Sequence, residues 1–443
     1  MKRHFDLIVV GGGPAGLMAA KTAAEKGLDV ALLERKDHLA EIARPCSEIL
    51  TLNEDINNEY LFYNKKGGRL CFLKSGFCER YDGHSLDLEA FTIYAMNGNC
   101  IQFSNPAKPQ GGGVVPVQMA FEKKMLLSKL LVAVEKKDVH VFTNVNVVAF
   151  EKKGRHMCIL SSEGTRYEAA FVICADGVNS RSVQCLGLNK RRGFYGTLRG
   201  IALYIRGVEL PIAHSHVHIQ GGSEVGIELS INPRAENDEY FVSLCGIQPK
   251  ADFSRWADYI MKTSRFSSWF KGAEIVKTSS FVANIYSPLR DPFRDNVLVI
   301  GDAGNTLQVT NKGALVCGWR AGNTVARAFY NNSLNREAMQ DYLEWWDESY
   351  CRCDYTIPFP LRGNMGEALN SKELNYLFGL LKEPFPLTSN PFTGARTMAR
   401  AMAKVLPLLA EKKPQIIEKL NRFRSDDLTQ LLKGAINSGF PNR

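Results

Sequence analysis

The sequence predicts an α/β protein: a mostly parallel sheet assembled from separated stretches, an antiparallel β unit between them, and a helical C-terminal region. Two observations lead there. A β–turn–α–β pattern with a glycine-rich turn opens the chain, and buried strands ending in Asp-Gly and Gly-Asp recur far downstream.

Residues 6–10 (DLIVV) form a short β-branched run, as expected of a strand buried on both faces. The run Gly11-Gly12-Gly13-Pro14-Ala15-Gly16 follows, then a helix-forming stretch that Gly27 closes, then a second strand over 28–33 (LDVALL) that ends at Glu34. In this GxGxxG pattern Gly11 permits the tight turn. Gly13 lets the backbone approach a pyrophosphate, and Gly16 lets helix and strand pack closely. The helix that opens at Pro14 and Ala15 offers unpaired N–H groups and a positive dipole end to phosphates. Glu34, 18 residues after Gly16, is placed to accept both hydroxyls of an adenosine ribose. The turn is therefore of Rossmann type and binds a dinucleotide.

The downstream strands decide which dinucleotide. Residues 171–181 read FVICADGVNSR, residues 295–304 read DNVLVIGDAG, and a helical stretch over 313–322 reads GALVCGWRAG. Taken in this order with the first turn, they resemble the FAD-binding fold shared by para-hydroxybenzoate hydroxylase-type monooxygenases and geranylgeranyl reductases. The resemblance implies an FAD-binding domain like that of glutathione reductase and the hydroxylase, discontinuous over residues 1–75, 105–185 and 285–335. Residues 76–104 and 186–284 would form an antiparallel β substrate domain, and 336–443 a helical C-terminal region. It assigns Asp302 to the ribityl chain of FAD and aims the helix near Gly313 and Ala314 at the flavin pyrimidine, where a positive helix end stabilises anionic reduced flavin. It also assigns Arg35, Arg44, Cys46, Asp176, Gly177 and Gly301 to the cofactor. The stretch 119–136 has helical spacing and reads as the second helix. Relatives often begin that helix with an arginine on FAD; Gln118 and Lys123 are the candidates here.

Composition narrows the class of protein. Of 443 residues, 45% are hydrophobic and 23% charged, as in soluble globular chains, and the net charge of +9 could favour anionic partners. Its basic residues are scattered, so nucleic acid is not expected as a partner. No segment approaches the roughly 18 apolar residues of a membrane span, and the N-terminal apolar run turns at once into glycines. The eleven cysteines are irregularly spaced, which favours reduced thiols and a cytoplasmic setting. The stretch 395–436 mixes Lys and Arg with Met, Leu and Ile. It reads either as an amphipathic surface in peripheral contact with a membrane or as a solvated helical cap. His214, His216 and His218 would share one face of a strand, but no acidic or Cys partner at ligand spacing makes them a metal site. Cys351 and Cys353 lack a second cysteine pair, so iron–sulfur or zinc ligation is not expected either.

The reaction turns on one stretch, Arg44-Pro45-Cys46-Ser47-Glu48. Geranylgeranyl reductases have a Pro-Cys motif shortly after the second strand, usually followed by Gly; here Ser47 and Glu48 follow. Some relatives place a second cysteine at the position of Cys317, four residues after Gly313. The resemblance thus makes Cys46 and Cys317 catalytic candidates and a possible disulfide pair, against a plain reading of each as a small buried hydrophobe. One family feature is absent. The strand expected over 222–233 carries Ile227, Leu229 and Ile231 where geranylgeranyl reductases have an aromatic Tyr-x-Trp-x-Phe-Pro motif, and the Trp signature of flavin halogenases is missing too. The expectation is an FAD-dependent reductase that delivers hydride to a C=C bond of an isoprenoid or lipid-like substrate. The electron donor would be NAD(P)H or a ferredoxin, since no second GxGxxG exists. The alternatives are an FAD monooxygenase of a small hydrophobic or aromatic molecule and a flavin-based thiol redox sensor.

Overall fold

The computed structural model describes residues 4–104, 116–236, 238–352 and 365–425. The β-branched runs form the centre of an eight-stranded sheet. In it β1 (His4–Val10) lies between β2 (Val30–Leu33) and β15 (Arg166–Cys174), all parallel. β12 (His140–Phe142) extends the sheet beyond β2, and β22 (Val297–Val299) joins β15 in parallel. The hairpin β13 (Val147–Lys153) and β14 (His156–Ser161) runs antiparallel to the start of β15, and β21 (Phe293–Arg294) pairs with β22. Side chains alternate across these strands: Leu7 and Val9 belong to the core under the helices, Ile8 and Val10 to the core on the opposite face.

Helices α1 (Pro14–Glu25) and α5 (Thr310–Tyr330) pack together on the first face. Their backbones come close because the contact is made by small residues: a Cβ at Gly318 would sit 2.3 Å from the Ala15 carbonyl oxygen. α2 (Lys123–Glu135) lies beside α1, and α3 (Arg181–Cys185) covers β13.

A second, seven-stranded sheet has the order β10 (Cys100–Ser104), β9 (Ala90–Ala95), β17 (Ser215–Gln220), β18 (Glu228–Pro233), β19 (Glu239–Gly246), β16 (Phe194–Arg206), β20 (Glu274–Tyr286). Only β9 and β17 run parallel. Period-two alternation splits its faces. Val217, Leu229, Ile231 and Leu244 form an apolar core with Ala257 of α4 (Phe253–Asp258), whereas His216, His218, Ser230 and Asn232 share the other face. Two small sheets join the large ones. β3 (Ile49–Thr51), β11 (Gln118–Phe121) and β8 (Ser85–Asp87) form one; β4 (Asp55–Ile56), β5 (Glu59–Asn64), β6 (Arg69–Phe72) and β7 (Phe77–Arg80) form the other.

The C-terminal region is helical, with α6 (Gln340–Trp346), α7 (Ser371–Leu380), α8 (Pro391–Lys412) and α9 (Pro414–Ser425). Asn370 and Glu373 close a capping box on α7. Leu377, Phe378, Leu409 and Ile416 pack on Ile93, Ile101 and Phe103 of the second sheet, so much of the amphipathic stripe is covered from within. No helix among the described residues is long and apolar enough to cross a membrane. Cys353, Pro358, Pro360 and residues 426–436 lie outside the described residues.

Four local expectations are corrected. The apolar run 119–121 is strand β11, held between β3 and β8, and α2 starts only at Lys123. The strand expected from 222 begins at Glu228, because residues 221–226 turn and Gly226 adopts φ +61°. His214 precedes β17 with φ +52° and does not share the face of His216 and His218. Thiols are not all reduced: Cys71 and Cys78, opposite each other in the β6–β7 pair, form a disulfide.

Candidate functional site

Four of the five parallel strands, β1, β2, β15 and β22, lead at their carboxyl ends into one region, where ligands bind in open α/β sheets. β1 leads into the glycine turn. Gly11 has φ +105°, and a Cβ on Gly16 would lie 1.8 Å from the Gly11 carbonyl oxygen, so both positions require glycine. Around Gly13, by contrast, a Cβ would meet nothing within 4 Å, and Gly13 caps α1 with Pro14 in its first turn. That open, N–H-lined space fits a pyrophosphate. Ala15 is buried where α1 meets α5.

Glu34, buried at the end of β2, accepts hydrogen bonds from the Gly12 N–H at 2.5 Å and the Lys36 N–H at 2.9 Å. A carboxylate has further lone pairs for ribose hydroxyls. Arg35 next to it is exposed. Asp176, after β15, uses one carboxylate oxygen on the Ser180 hydroxyl and the other on the Ser182 N–H, and so organises the start of α3. Gly177 adopts φ +74° with open space around it.

Two residues past β22 come Gly301, φ +63°, and Asp302, in a single 3-10 turn. Burial pushes the Asp302 carboxyl up; Arg44, 3.9 Å away, then Lys123 and the Val309 backbone oppose that shift. Asn305, fully buried three residues on, has neither amide atom partnered among the described residues. Such orphaned polar atoms at the strand ends, beside the open glycine cradle, fit a large polar cofactor such as FAD. Gly313 and Ala314 lie in the first turns of α5, which begins three residues before Gly313; a Cβ on Gly313 would meet the Tyr350 hydroxyl at 2.7 Å. Gln118 sits within β11, five positions before α2.

Cys46 lies among these elements. Its sulfur accepts from the Lys123 ammonium at 3.6 Å, the Asn311 amide at 3.7 Å and the Glu48 N–H at 3.4 Å. Glu48 holds this arrangement. One of its carboxylate oxygens takes the Lys123 N–H that opens α2, and the other pairs with Arg234, just past β18, at 3.0 Å. Arg234 also stacks over Tyr204 of β16, whose phenol is pushed up chiefly by burial and held back by Arg234. The face of the second sheet that bears Tyr204 and Arg234 is thereby tied to Cys46.

Cys317 sits elsewhere. It is fully buried, with Sγ 3.9 Å from the Tyr350 hydroxyl, and burial pushes its thiol up to about 11. Cys46 and Cys317 are both free; Asn311, which touches Cys46, is six residues, about 9 Å, up the helix from Cys317. Sequence reasoning named Lys123 but missed Asn311, Arg234 and the clamping role of Glu48, because nothing local announces their convergence.

Beside the clamp, Glu122 precedes α2 and accepts the His84 N–H at 2.7 Å, with the His84 ring at 2.8 Å. A hydrogen bond with Glu122, then burial and the like charge, pushes Glu236 up to about 7. Burial would raise Glu122, but bonds with Glu236 and His84 outweigh it and leave Glu122 lowered; the Glu122 bond raises His84. Folded Glu236 therefore holds a proton that the unfolded chain releases above its ordinary 4.5. Stability from Glu236 is lost as pH rises toward 7, and that from His84 is lost, in the same direction, as pH rises above 6.5 through its raised value. Thermal melts between about pH 6.5 and about pH 8 should show a falling Tm, and Glu236→Gln should flatten much of the slope; below about pH 6.5 the buried His216, whose charged form is disfavoured, opposes the trend.

Comparison with known proteins places these features. Residues 5–242 match the family model described as pyridine nucleotide-disulphide oxidoreductase. The chain is 25% identical over 347 residues to a digeranylgeranylglycerophospholipid reductase of Methanosarcina acetivorans, covering 78% of this chain and 79% of that one. It is 23% identical over 401 residues to digeranylgeranylglycerophospholipid reductase 2 of Methanopyrus kandleri, covering 84% and 89%. Among solved structures, a geranylgeranyl bacteriochlorophyll reductase-like protein of Thermoplasma acidophilum superposes with a TM-score of 0.70 at 16% identity, covering 96% of this chain and all of that one. Halogenase PltM bound to phloroglucinol and FAD gives 0.60 at 14% identity, covering 98% and 96%. These two likenesses are of fold.

Proposed function

The chain belongs to the pyridine nucleotide-disulphide oxidoreductase family and is an FAD-dependent oxidoreductase; from that premise we propose that it reduces a C=C bond of a hydrophobic, isoprenoid or lipid-like substrate. Bound reduced FAD supplies a hydride equivalent to one alkene carbon. The chain must then hold the substrate against the cofactor, keep water out and provide a proton for the other carbon.

The observation that carries this reading is the environment of Cys46. Three donors converge on one sulfur at the place where the second sheet faces the carboxyl ends of the parallel strands. Cys46 delivers the proton to the second carbon and is reprotonated by the Lys123 ammonium that donates to its sulfur, while Asn311 and the Glu48 N–H fix where that sulfur points. Cys317, fully buried and with its thiol pushed up to about 11, takes no part in proton transfer. Gly11, Gly13, Pro14, Ala15, Gly16 and Glu34 would hold the ADP half of FAD. Arg44, Gly301, Asp302 and the α5 turn at Gly313 and Ala314 would hold the flavin half; Asp176 and Gly177 shape the wall between them. We assign the seven-stranded sheet, residues 90–104 and 194–286, to the substrate. The reductant that reloads the cofactor would be NAD(P)H or a ferredoxin.

The names of the relatives support a lipid substrate, and the aliphatic residues Leu229 and Ile231 of β18 lie in the apolar core rather than on the Cys46 side. The chain therefore need not use the aromatic strand motif of geranylgeranyl reductases to shape this pocket. In the test, Cys46→Ser should retain FAD at full stoichiometry, read from its visible absorbance. It should lose about 100-fold in the anaerobic reoxidation of reduced enzyme by a geranylgeranyl lipid. Undiminished reoxidation would remove Cys46 from the mechanism.

A further inference from the structure

On the Cys46 side of the second sheet, a chain of polar side chains ends in two open atoms. The Glu228 carboxylate pairs with His218 Nδ1 at 2.7 Å, and His218 Nε2 meets His216 Nε2 at 2.8 Å. Across the β17–β18 pair, the Asn232 amide nitrogen donates to the Ser230 hydroxyl at 2.7 Å. That bond fixes which way the Asn232 amide points and leaves Oδ1 as a bare acceptor. His216 Nδ1 and Asn232 Oδ1 are both buried and lack a partner among the described residues. Asn232 as a whole is only 2% exposed. From the register Val217↔Ile231, His216 and Asn232 stand opposite each other, with Cβ atoms about 5 Å apart.

Buried polar atoms without partners, here on two facing residues, are expensive unless a ligand completes them. Asn232 Oδ1 accepts only, so its partner must bring a hydrogen. The charged form of His216 is disfavoured by burial and by His218, so His216 stays neutral. In the tautomer of neutral His216 that carries its proton on Nδ1, that atom is a donor and Nε2 accepts from His218. One hydroxyl satisfies both atoms: its O–H donates to Asn232 Oδ1 and its oxygen accepts from His216 Nδ1. A fully ionised phosphate has no hydrogen for Asn232 and would face the Glu228 carboxylate.

We propose that His216 and Asn232 form a subsite for a free hydroxyl of the substrate, with Glu228 and His218 as positioning residues. This rests on the isoprenoid reading above and narrows it to an alkene lipid with a free hydroxyl head. The location suits that role. Arg234, which ties this face to Glu48 and so to Cys46, lies two residues from Asn232 on the same side. From strand geometry its Cα is about 8 Å from that of His216. The substrate chain would run from this subsite along the Arg234 and Glu48 side of the sheet toward Cys46.

The probes are geranylgeraniol, its methyl ether and geranylgeranyl diphosphate, titrated into the oxidised FAD holoenzyme with the visible flavin spectrum as readout, so that binding is measured without turnover. Wild type should bind the alcohol at least about tenfold tighter than the methyl ether. Asn232→Leu and His216→Phe should each bring that ratio close to one while Tm and FAD content hold. Glu228→Gln should weaken the preference without abolishing it. Equal affinity for alcohol and ether in wild type, tighter binding of the diphosphate, or an undiminished preference in both Asn232→Leu and His216→Phe would overturn the subsite. Binding of the alcohol with no reduction of its double bond would leave the subsite standing and refute the reductase reading. Failure of all three probes to bind would refute the isoprenoid substrate and the subsite together.

Discussion

Gly16→Ala should yield a protein without FAD and with stability reduced by about 3 kcal/mol, the upper end of the usual range for overpacking. The added methyl has nowhere to go. It would lie 1.8 Å from the Gly11 carbonyl oxygen and 3.3 Å from the Ala175 side chain, both in the rigid crossing of β1, β15 and α1. Relief requires α1 to move off the sheet, which also displaces the N–H groups at its start and disturbs the α1–α5 contact through Gly318. Gly13→Ala is the control. Its methyl touches nothing in the protein, so the melting curve of the apoprotein should stay unchanged. The space it fills is that of the pyrophosphate, so FAD should still be lost. Thermal denaturation and flavin absorbance of both variants separate these outcomes. A Gly16→Ala protein that keeps FAD would contradict the assignment of this turn.

The second large effect is expected at Glu48. Glu48→Ala leaves Arg234 without its main partner, the α2 start without an acceptor and the Cys46 loop unpinned. Breaking a buried pair costs about 3–5 kcal/mol. The low end applies, because Arg234 is still 16% exposed and keeps Glu239 at 3.6 Å. Glu48 also has φ +54°, a left-handed conformation that costs a residue with a Cβ about 1 kcal/mol. Glu48→Gly removes the same clamp yet relieves that strain, so it should be more stable than Glu48→Ala by about 1 kcal/mol. Urea denaturation of the three proteins gives both differences. Glu48 thus holds a strained backbone because its carboxylate joins the two sheets.

What was legible in the sequence follows from how local each signal is. The glycine turn, Glu34 and the Gly301-Asp302 strand end are read directly, since φ above zero and close backbone approach each demand particular residues at fixed spacing. Asp176 shows the limit of such reading: its position after β15 is as expected, but its carboxylate is spent on Ser180 and Ser182. The run at 119–121 suits a helix by periodicity, and only its pairing with both β3 and β8 makes it a strand. Cys71 and Cys78 look unrelated until the β6–β7 hairpin sets them opposite each other. The convergence of Lys123, Asn311 and Glu48 on Cys46 joins residues up to 265 positions apart, and no period or motif encodes it. Similarly, three histidines in alternation suggest one face, but the left-handed turn at His214 leaves His216 and His218 to meet each other, with His218 on Glu228.

In the proposed reaction a lipid alkene is saturated with electrons from the bound cofactor. Anaerobic mixing of photoreduced holoenzyme with geranylgeraniol, followed by mass spectrometry of the extracted lipid, tests it most directly. One lipid molecule should gain two hydrogens for each flavin reoxidised, with no oxygen required. Reduced flavin that persists beside unaltered lipid, and is reoxidised only when oxygen is admitted with hydroxylated product, would contradict it.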